Sequence, residues 1–294
     1  MTARIVTGFE LADSMQSRTR DAIAAIQRAG APAPGLALLL TEGQVASQAY
    51  ARRLQESAAA VGIPVYVHSV AVNATRDQIH DLVDRLNIDA SVAGILPLLP
   101  LPPTIPVLPF VSRIDPLKDV DGLHPLNAGL SAAGAAAHVS ATALAAVALA
   151  EALIGDLRGT LATVVGASGA VGRPLAQCLL NRGATVTIAH VDTRDLVAAC
   201  RNAELLFVAA GKAGLIGREH ICPGAAVIDI GINALPNPAA SEDSPRVVGD
   251  VDLEAALDQA RWITAVPDGV GPVTAAQLMA NVVQAAQWLR EREG

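Results

Sequence analysis

Apolar side chains recur at helical spacing over residues 10–28 and 46–61, and again over 75–87, where Thr75 and Asp77 mark the start. Between these stretches lie short apolar runs, Gly35 to Leu40, Val65 to Val70 and Val92 to Leu96, whose length and composition predict strands. The second half repeats the rhythm, with strands near 161–165, 185–189, 204–208 and 225–230, helices near 170–182 and 194–201, and a last helix over roughly 272–290. Strands and helices in alternation build parallel sheets, so the expected class is α/β. The rhythm breaks at an Ala-rich segment that predicts a connecting helix, and a domain boundary is expected there, near residue 140. The expected organisation is an N-terminal αβ domain over 1–140 and a parallel-sheet domain over 141–272. The helix within 273–294 is expected to pack back on the first domain.

Composition removes several alternatives. A chain of 294 residues, 52% hydrophobic and 17% charged, has the make-up of a globular protein and the length for two domains. Its net charge of -7, with no run of Lys or Arg, argues against a nucleic-acid partner. The apolar stretch 92–111 holds Pro97, Pro100, Pro102, Pro103, Pro106 and Pro109, which would break a lipid-exposed helix, and Gly122 to Ala150 is mostly Ala and Gly, so no membrane span is expected. Cys178, Cys200 and Cys222 are far apart and the six histidines show no ligand spacing, so neither a disulfide framework nor a metal site is expected, and a cytoplasmic location fits.

One segment carries recognisable chemistry. Between the strand Leu161 to Val165 and the helix expected near Ala170 lies Gly166-Ala-Ser168-Gly169-Ala-Val171-Gly172. Glycines at a strand-to-helix junction let backbone approach a pyrophosphate, and the helix N-terminus offers free N–H groups to it. Asp192 follows twenty residues after Gly172, just past the next strand, where a carboxylate accepts hydrogen bonds from a ribose 2'-hydroxyl and repels a 2'-phosphate. A Rossmann-type site that prefers NAD to NADP is expected. The other reading of Asp192 is the N-cap of a helix beginning near Thr193.

Taken with that loop, a series of ordered segments resembles the methylenetetrahydrofolate dehydrogenase/cyclohydrolase family. They are Pro34-Gly-Leu-Ala37, Ala46-Ser-Gln-Ala-Tyr50, Gly94-Ile-Leu96 with Pro100-Leu-Pro102, Lys118-Asp-Val-Asp-Gly-Leu-His-Pro125 and Val171-Gly-Arg-Pro174. Gly211-Lys212, Asp229-Ile-Gly-Ile-Asn233, Gly249-Asp-Val251 and Pro267-Asp-Gly-Val-Gly-Pro272 continue the match to near the end of the chain. The resemblance implies a tetrahydrofolate derivative bound in a cleft between the domains beside a nicotinamide, hydride transfer from the one-carbon bridge, hydrolysis of the methenyl product, and a homodimer. It implies that Tyr50 packs beside the folate ring and that Asp121 hydrogen-bonds the pterin. Without it, Tyr50 reads as a half-buried helix residue and Asp121 as a turn residue bonding its own backbone. It also places Gly211 and Ile232 at the cofactor, and Asp268, Gly269 and Pro272 in the substrate loop.

The departures from the family pattern include its hydrolytic residues. Where the family has its catalytic lysine, one turn after Tyr50, this chain has Leu54, and the partnering glutamine is Leu98. Arg53, nearby on the helix, stays protonated and cannot accept a proton. The family's Gly-Gly reads Asp268-Gly269 and its Pro-Cys-Thr-Pro reads His138-Val-Ser-Ala141, while its 2'-phosphate positions carry Ala167, Val191 and Asp192. The expected activity is NAD-dependent oxidation of 5,10-methylenetetrahydrofolate with weak or absent cyclohydrolase. A dehydrogenase for another small substrate and a non-catalytic NAD- or folate-binding protein are the alternatives.

Overall fold

A computed structural model describes residues 2–236 and 246–293; residues 1, 237–245 and 294 lie outside the described residues. The elements run β1 (Arg4–Val6), α1 (Phe9–Arg28), β2 (Gly35–Thr41), α2 (Val45–Val61), β3 (Val65–Val70), α3 (Arg76–Ile88), β4 (Val92–Leu98), α4 (Val107–Val111), α5 (Pro125–Ala132) and α6 (Ala141–Ile154). There follow β5 (Leu161–Val165), α7 (Gly172–Asn181), β6 (Thr185–Ala189), α8 (Leu196–Cys200), β7 (Leu205–Val208), a short 3-10 turn (Arg218–His220) and β8 (Ala226–Asp229). The last are β9 (Asn233–Leu235), β10 (Arg246–Val248), α9 (Leu253–Gln259), β11 (Trp262–Thr264) and α10 (Val270–Glu293). The chain folds into two compact units, one of residues 1–12 with 142–274 and the other of residues 13–141 with 275–294.

In the unit of residues 13–141 and 275–294, three parallel strands stand in the order β3-β2-β4. The central strand β2 is buried along its whole length, which explains why it reads as an unbroken apolar run. Its side chains alternate between two cores. Leu36, Leu38 and Leu40 pack with Ile23 and Ile26 of α1, Leu54 of α2 and Leu278 and Val282 of α10, while Ala37 and Leu39 face Ile79, Val83 and Leu86 of α3 and Phe110. Thr75 caps α3 with a capping box to Gln78, as the acceptor at that position and the Gln three residues on require. The C-terminal residues of α10, from 275 on, belong to this unit.

The other unit holds a six-stranded parallel sheet ordered β1-β11-β8-β7-β5-β6. The chain leaves β5 to one side for β6 and then crosses to the other for β7, so the strand order reverses at β5 and β7. In such sheets ligands bind beyond the carboxyl ends at that reversal. Residues up to Ala12 depart from the expected boundaries. They belong to this unit because β1 pairs with β11, Arg4 opposite Trp262 and Val6 opposite Thr264. Strands of three residues carry too little periodicity to be read from the sequence, which is why β1, β9, β10 and β11 went unforeseen. Among the described residues no helix is long and apolar enough to cross a membrane.

Candidate functional site

Each unit carries a candidate site. In the six-stranded unit a cavity of about 680 Å³ opens at the carboxyl ends of β5 and β7, lined by Gly166, Ser168, Asp192, Ala210 and Lys212 among others. The glycine loop is held closed by its own packing. A Cβ at Gly172 would stand 1.8 Å from the Gly166 carbonyl oxygen, so only glycine permits this turn into α7. The Ser168 hydroxyl accepts from the amides of Val171 (3.2 Å) and Gly172 (3.4 Å), which organises the first turn of α7. Gly169, Val171 and Gly172 lie in the loop but outside the cavity wall. Ile232 is 62% exposed and also stands apart from this wall.

Asp192 lines the same cavity with its side chain 85% exposed, near His190 Nδ1 at 3.7 Å. It does not cap a helix. That role belongs to Asp195, whose carboxylate accepts from the Ala198 amide at 2.8 Å, and α8 begins only at Leu196. Val191 is 97% exposed, and Ala167 lines the cavity without offering any charge.

The turn at Ala210 to Lys212 in the wall of this cavity depends on an acid, Asp250, to which the sequence alone assigns no role. Asp250 is fully buried and its Oδ2 accepts from the amides of Ala210 (2.6 Å) and Gly211 (2.8 Å), so the turn that carries Lys212 hangs on this carboxylate. Gly211 takes φ +67° there, a conformation that glycine adopts without strain. The repeated pairing of glycine with aspartate in Asp229-Ile-Gly231 and Gly249-Asp250 is the signal that would have pointed to it.

In the three-stranded unit, Tyr50 stands on α2, 39% exposed. Burial of its hydroxyl, and secondarily the charge of Asp121, push its pKa upward, which places phenol and carboxylate in each other's field. Asp121 is pushed up to about 7, first by burial and further by Asp119, against the pull of a hydrogen bond from the Ala141 amide at 2.8 Å. The turn-bonding role read for Asp121 from the sequence alone belongs instead to its neighbour. Asp119 is fully buried and accepts from the amides of Leu123 (3.1 Å) and His124 (2.8 Å) and from Asn127 Nδ2 (2.8 Å).

Leu54 and Leu98 are 0% and 4% exposed and belong to one buried apolar cluster with Leu38, Val120 and Leu278. Arg53 points to solvent. Ser47 Oγ and Thr41 Oγ1 donate to the carbonyls of Leu99 (3.3 Å) and Pro100 (2.9 Å), tying the turn after β4 to β2 and α2. Asp268 is exposed, and its carbonyl accepts from the Gly8 amide at 2.8 Å, while Gly269 is buried and Pro272 occupies the first turn of α10, where its missing N–H costs nothing. Among the described residues no group of three or more His, Cys, Asp or Glu could hold a metal ion.

Residues 6–121 match the catalytic domain of tetrahydrofolate dehydrogenase/cyclohydrolase, and residues 140–290 match its NAD(P)-binding domain. The bifunctional protein FolD of Rhodopseudomonas palustris (strain BisB5) is 41% identical over 286 residues, covering 97% of this chain and 96% of its own. Among solved structures, the bifunctional FolD methylenetetrahydrofolate dehydrogenase/cyclohydrolase of Campylobacter jejuni superposes with a TM-score of 0.91 at 36% identity, over 98% of this chain and 99% of its own. The Trypanosoma brucei enzyme, complexed with NADP and an inhibitor, gives 0.93 at 32% identity over 100% of both. The chain belongs to the tetrahydrofolate dehydrogenase/cyclohydrolase family.

Proposed function

We propose that the chain oxidises 5,10-methylenetetrahydrofolate to 5,10-methenyltetrahydrofolate with NAD, and that it hydrolyses the product weakly or not at all. The observation that carries this reading is the enclosure of Leu54 and Leu98 in a single apolar cluster. NAD supplies a hydride acceptor when bound, and the protein's share of such a transfer is to hold the two molecules in register, which needs no protein base. Hydrolysis of the methenyl bridge needs water activated and protons moved, and two buried leucines can do neither. Without general acid/base help that step slows by roughly 100- to 10,000-fold.

For the cofactor, Gly166, Ser168 and Lys212 would meet the phosphates and Asp192 the ribose 2'-hydroxyl. An exposed carboxylate at 192, with Ala167 and Val191 in place of a cation beside it, favours NAD over NADP, whose 2'-phosphate would face a like charge. For the substrate, Asp121 would accept from the pterin and Tyr50 would pack beside its ring. A homodimer in the cytoplasm completes the reading on the family resemblance alone.

The exposed carboxylate of Asp268, where the family pattern has glycine, favours one rival, a dehydrogenase for another small substrate. Measuring NADH formation with methylenetetrahydrofolate, together with the binding of each ligand separately, decides between them. Turnover supports the proposal. Binding of NAD without binding of folate supports the rival, and binding of both without NADH formation would mean a non-catalytic protein.

A further inference from the structure

Two backbone segments meet around Asp121, the turn 117–122 that carries it and the segment 138–141 that leads into α6. His138 Nε2 lies 2.8 Å from the Leu117 carbonyl, the Ala141 amide donates to Asp121 Oδ1 at 2.8 Å, and a Cβ at Gly122 would stand 2.6 Å from the His138 carbonyl oxygen. A third element reaches into this seam. Asn281 of α10, 6% exposed, donates through Nδ2 to both Val120 O at 2.8 Å and Val139 O at 3.1 Å. Gln277 Nε2, one helical turn earlier, donates to Asn281 Oδ1 at 2.9 Å and so sets which way the amide faces. Both N–H groups of the amide are therefore spent, one on each segment. No carboxylate or aliphatic side chain of this size could bind two carbonyls in that way.

We propose that Asn281 is the positioning residue for Asp121: by bridging the carbonyls of Val120 and Val139 it fixes the spacing of the two segments and thereby the aim of the carboxylate between them. Asp121 takes one hydrogen bond from Ala141 at Oδ1, and this clamp leaves Oδ2 to meet a ligand. Asn281 touches no ligand itself. Its relevance to catalysis rests on the reading of Asp121 as the pterin acceptor, but its hold on Asp121 does not. The titratable groups around Asp121 are Asp119, whose charge raises its pKa, and Lys118 on its own turn, His138 on the facing segment and Tyr50 on α2, whereas both hydrogen bonds donated by the Asn281 amide go to backbone carbonyls.

The test has a ligand-free arm and a ligand arm. In carbon-detected NMR of the Asp side chains, the Asp121 carboxyl should titrate near neutrality in the unaltered protein. Asn281→Ala should bring that midpoint down by more than one pH unit as the seam opens to water, and Gln277→Ala, which frees only the amide's orientation, by less. In the second arm, Asn281→Ala should weaken tetrahydrofolate binding about tenfold or more and leave the NAD Kd within about twofold. In an Asp121→Ala background, adding Asn281→Ala should change folate affinity by less than about twofold, because both changes disable one device. An Asp121 midpoint that stays put in both Asn281→Ala and Gln277→Ala overturns the proposal, as does a full additional loss of folate affinity in the double variant. If the unaltered protein binds no tetrahydrofolate, the functional reading falls, and the titration alone still decides whether Asn281 positions Asp121.

Discussion

Asp229 and Asp250 each occupy the space that a side chain would need at the other's neighbouring glycine. The Asp229 carboxylate oxygen lies 1.8 Å from where a Cβ at Gly249 would stand, and the Asp250 carboxylate carbon 2.1 Å from the corresponding point at Gly231. Asp229 accepts from the amides of Gly231, Asp250 and Val251, each at 3.0 Å, and burial still pushes its pKa up to about 6. Asp250 in turn holds Ala210, Gly211 and, through Oδ1, Asn233 Nδ2 at 2.8 Å. Two buried acids thus lock the ends of β8 and β10 together and reach from there to the rim of the nucleotide cavity.

Removing the second acid should loosen that rim. Asp250→Ala leaves the part-buried amides of Ala210 and Gly211, and the Asn233 side-chain amide, without this acceptor, and a cost of about 1 to 3 kcal/mol in unfolding free energy is expected. Nucleotide affinity should fall by about tenfold or more as the turn carrying Lys212 drifts. Asp250→Asn should be milder, since its oxygen can still face the two amides, though its NH₂ then meets Asn233 Nδ2. Urea denaturation and calorimetric titration with NAD measure both effects. Equal cofactor affinity in all three proteins would mean the turn does not depend on Asp250.

Cofactor choice gives the second expectation. With Asp192 exposed on the cavity wall and no cation at 167 or 191, NAD should bind more tightly than NADP. Asp192→Ser should narrow the difference by roughly tenfold, or about 1.4 kcal/mol, by removing the repelling charge. Parallel titrations with the two nucleotides measure it. Tighter binding of NADP by the unaltered protein would contradict the assignment.

What could be read from the sequence followed the length of the signal. The buried run of β2 and the helical periodicity of α1 and α3 are long enough to identify themselves, and the glycine loop announces its turn because no other residue fits at Gly172. Asp121 and Asp119 look alike in sequence, and only the fold separates the one whose amide donor is twenty residues away from the one that binds its own turn. The hold of Asp250 on residues 210–211 links positions about 40 residues apart, and that of Asn281 on residues 120 and 139 links positions about 160 and 140 apart, which no local pattern encodes. The placement of β1 in the second unit was hidden for the same reason.

The raised pKa of Asp121 fixes the sign of a pH effect. A folded-state value of about 7 against an ordinary 3.8 means that the protonated form is favoured in the fold, so this group's contribution is fully present below about pH 4 and is lost as pH rises through about 7. Asp121→Asn keeps an oxygen for the Ala141 amide and never carries the charge. It should match the unaltered protein near pH 4 and exceed it at pH 8, by at most roughly 4 kcal/mol. Thermal melts of both proteins across that range provide the measurement. A stability difference that does not vary with pH would show that the carboxyl is not the source. The same variant should bind folate less well, which separates the group's cost to the fold from its use.

The hydrolytic step is the sharpest expectation, because it depends on two leucines at positions where the sequence resemblance implies polar residues. Leu54 and Leu98 are buried in the cluster that also holds Leu38 and Val120, so the positions are sealed by packing as well as chemically inert. Leu54→Ala should cost about 2 to 5 kcal/mol, as for other fully buried leucines, and would create space without a base. A lysine introduced at 54 enters an apolar site that disfavours its charged form, which lowers its pKa and can make it an acceptor, but at a cost in stability and with no partner to direct it. Leu54→Lys alone should therefore restore little hydrolysis of supplied methenyltetrahydrofolate. Leu54→Lys with Leu98→Gln provides a polar neighbour from the end of β4 and should restore more. The rate of methenyl loss above the spontaneous background, followed by absorbance, reads all four proteins on one scale. Rapid hydrolysis by the unaltered protein would require a base that neither leucine supplies and would overturn the account. A double variant that stays folded and inactive would instead shift attention to the exposed carboxylate of Asp268, where replacement by glycine is the next change to make.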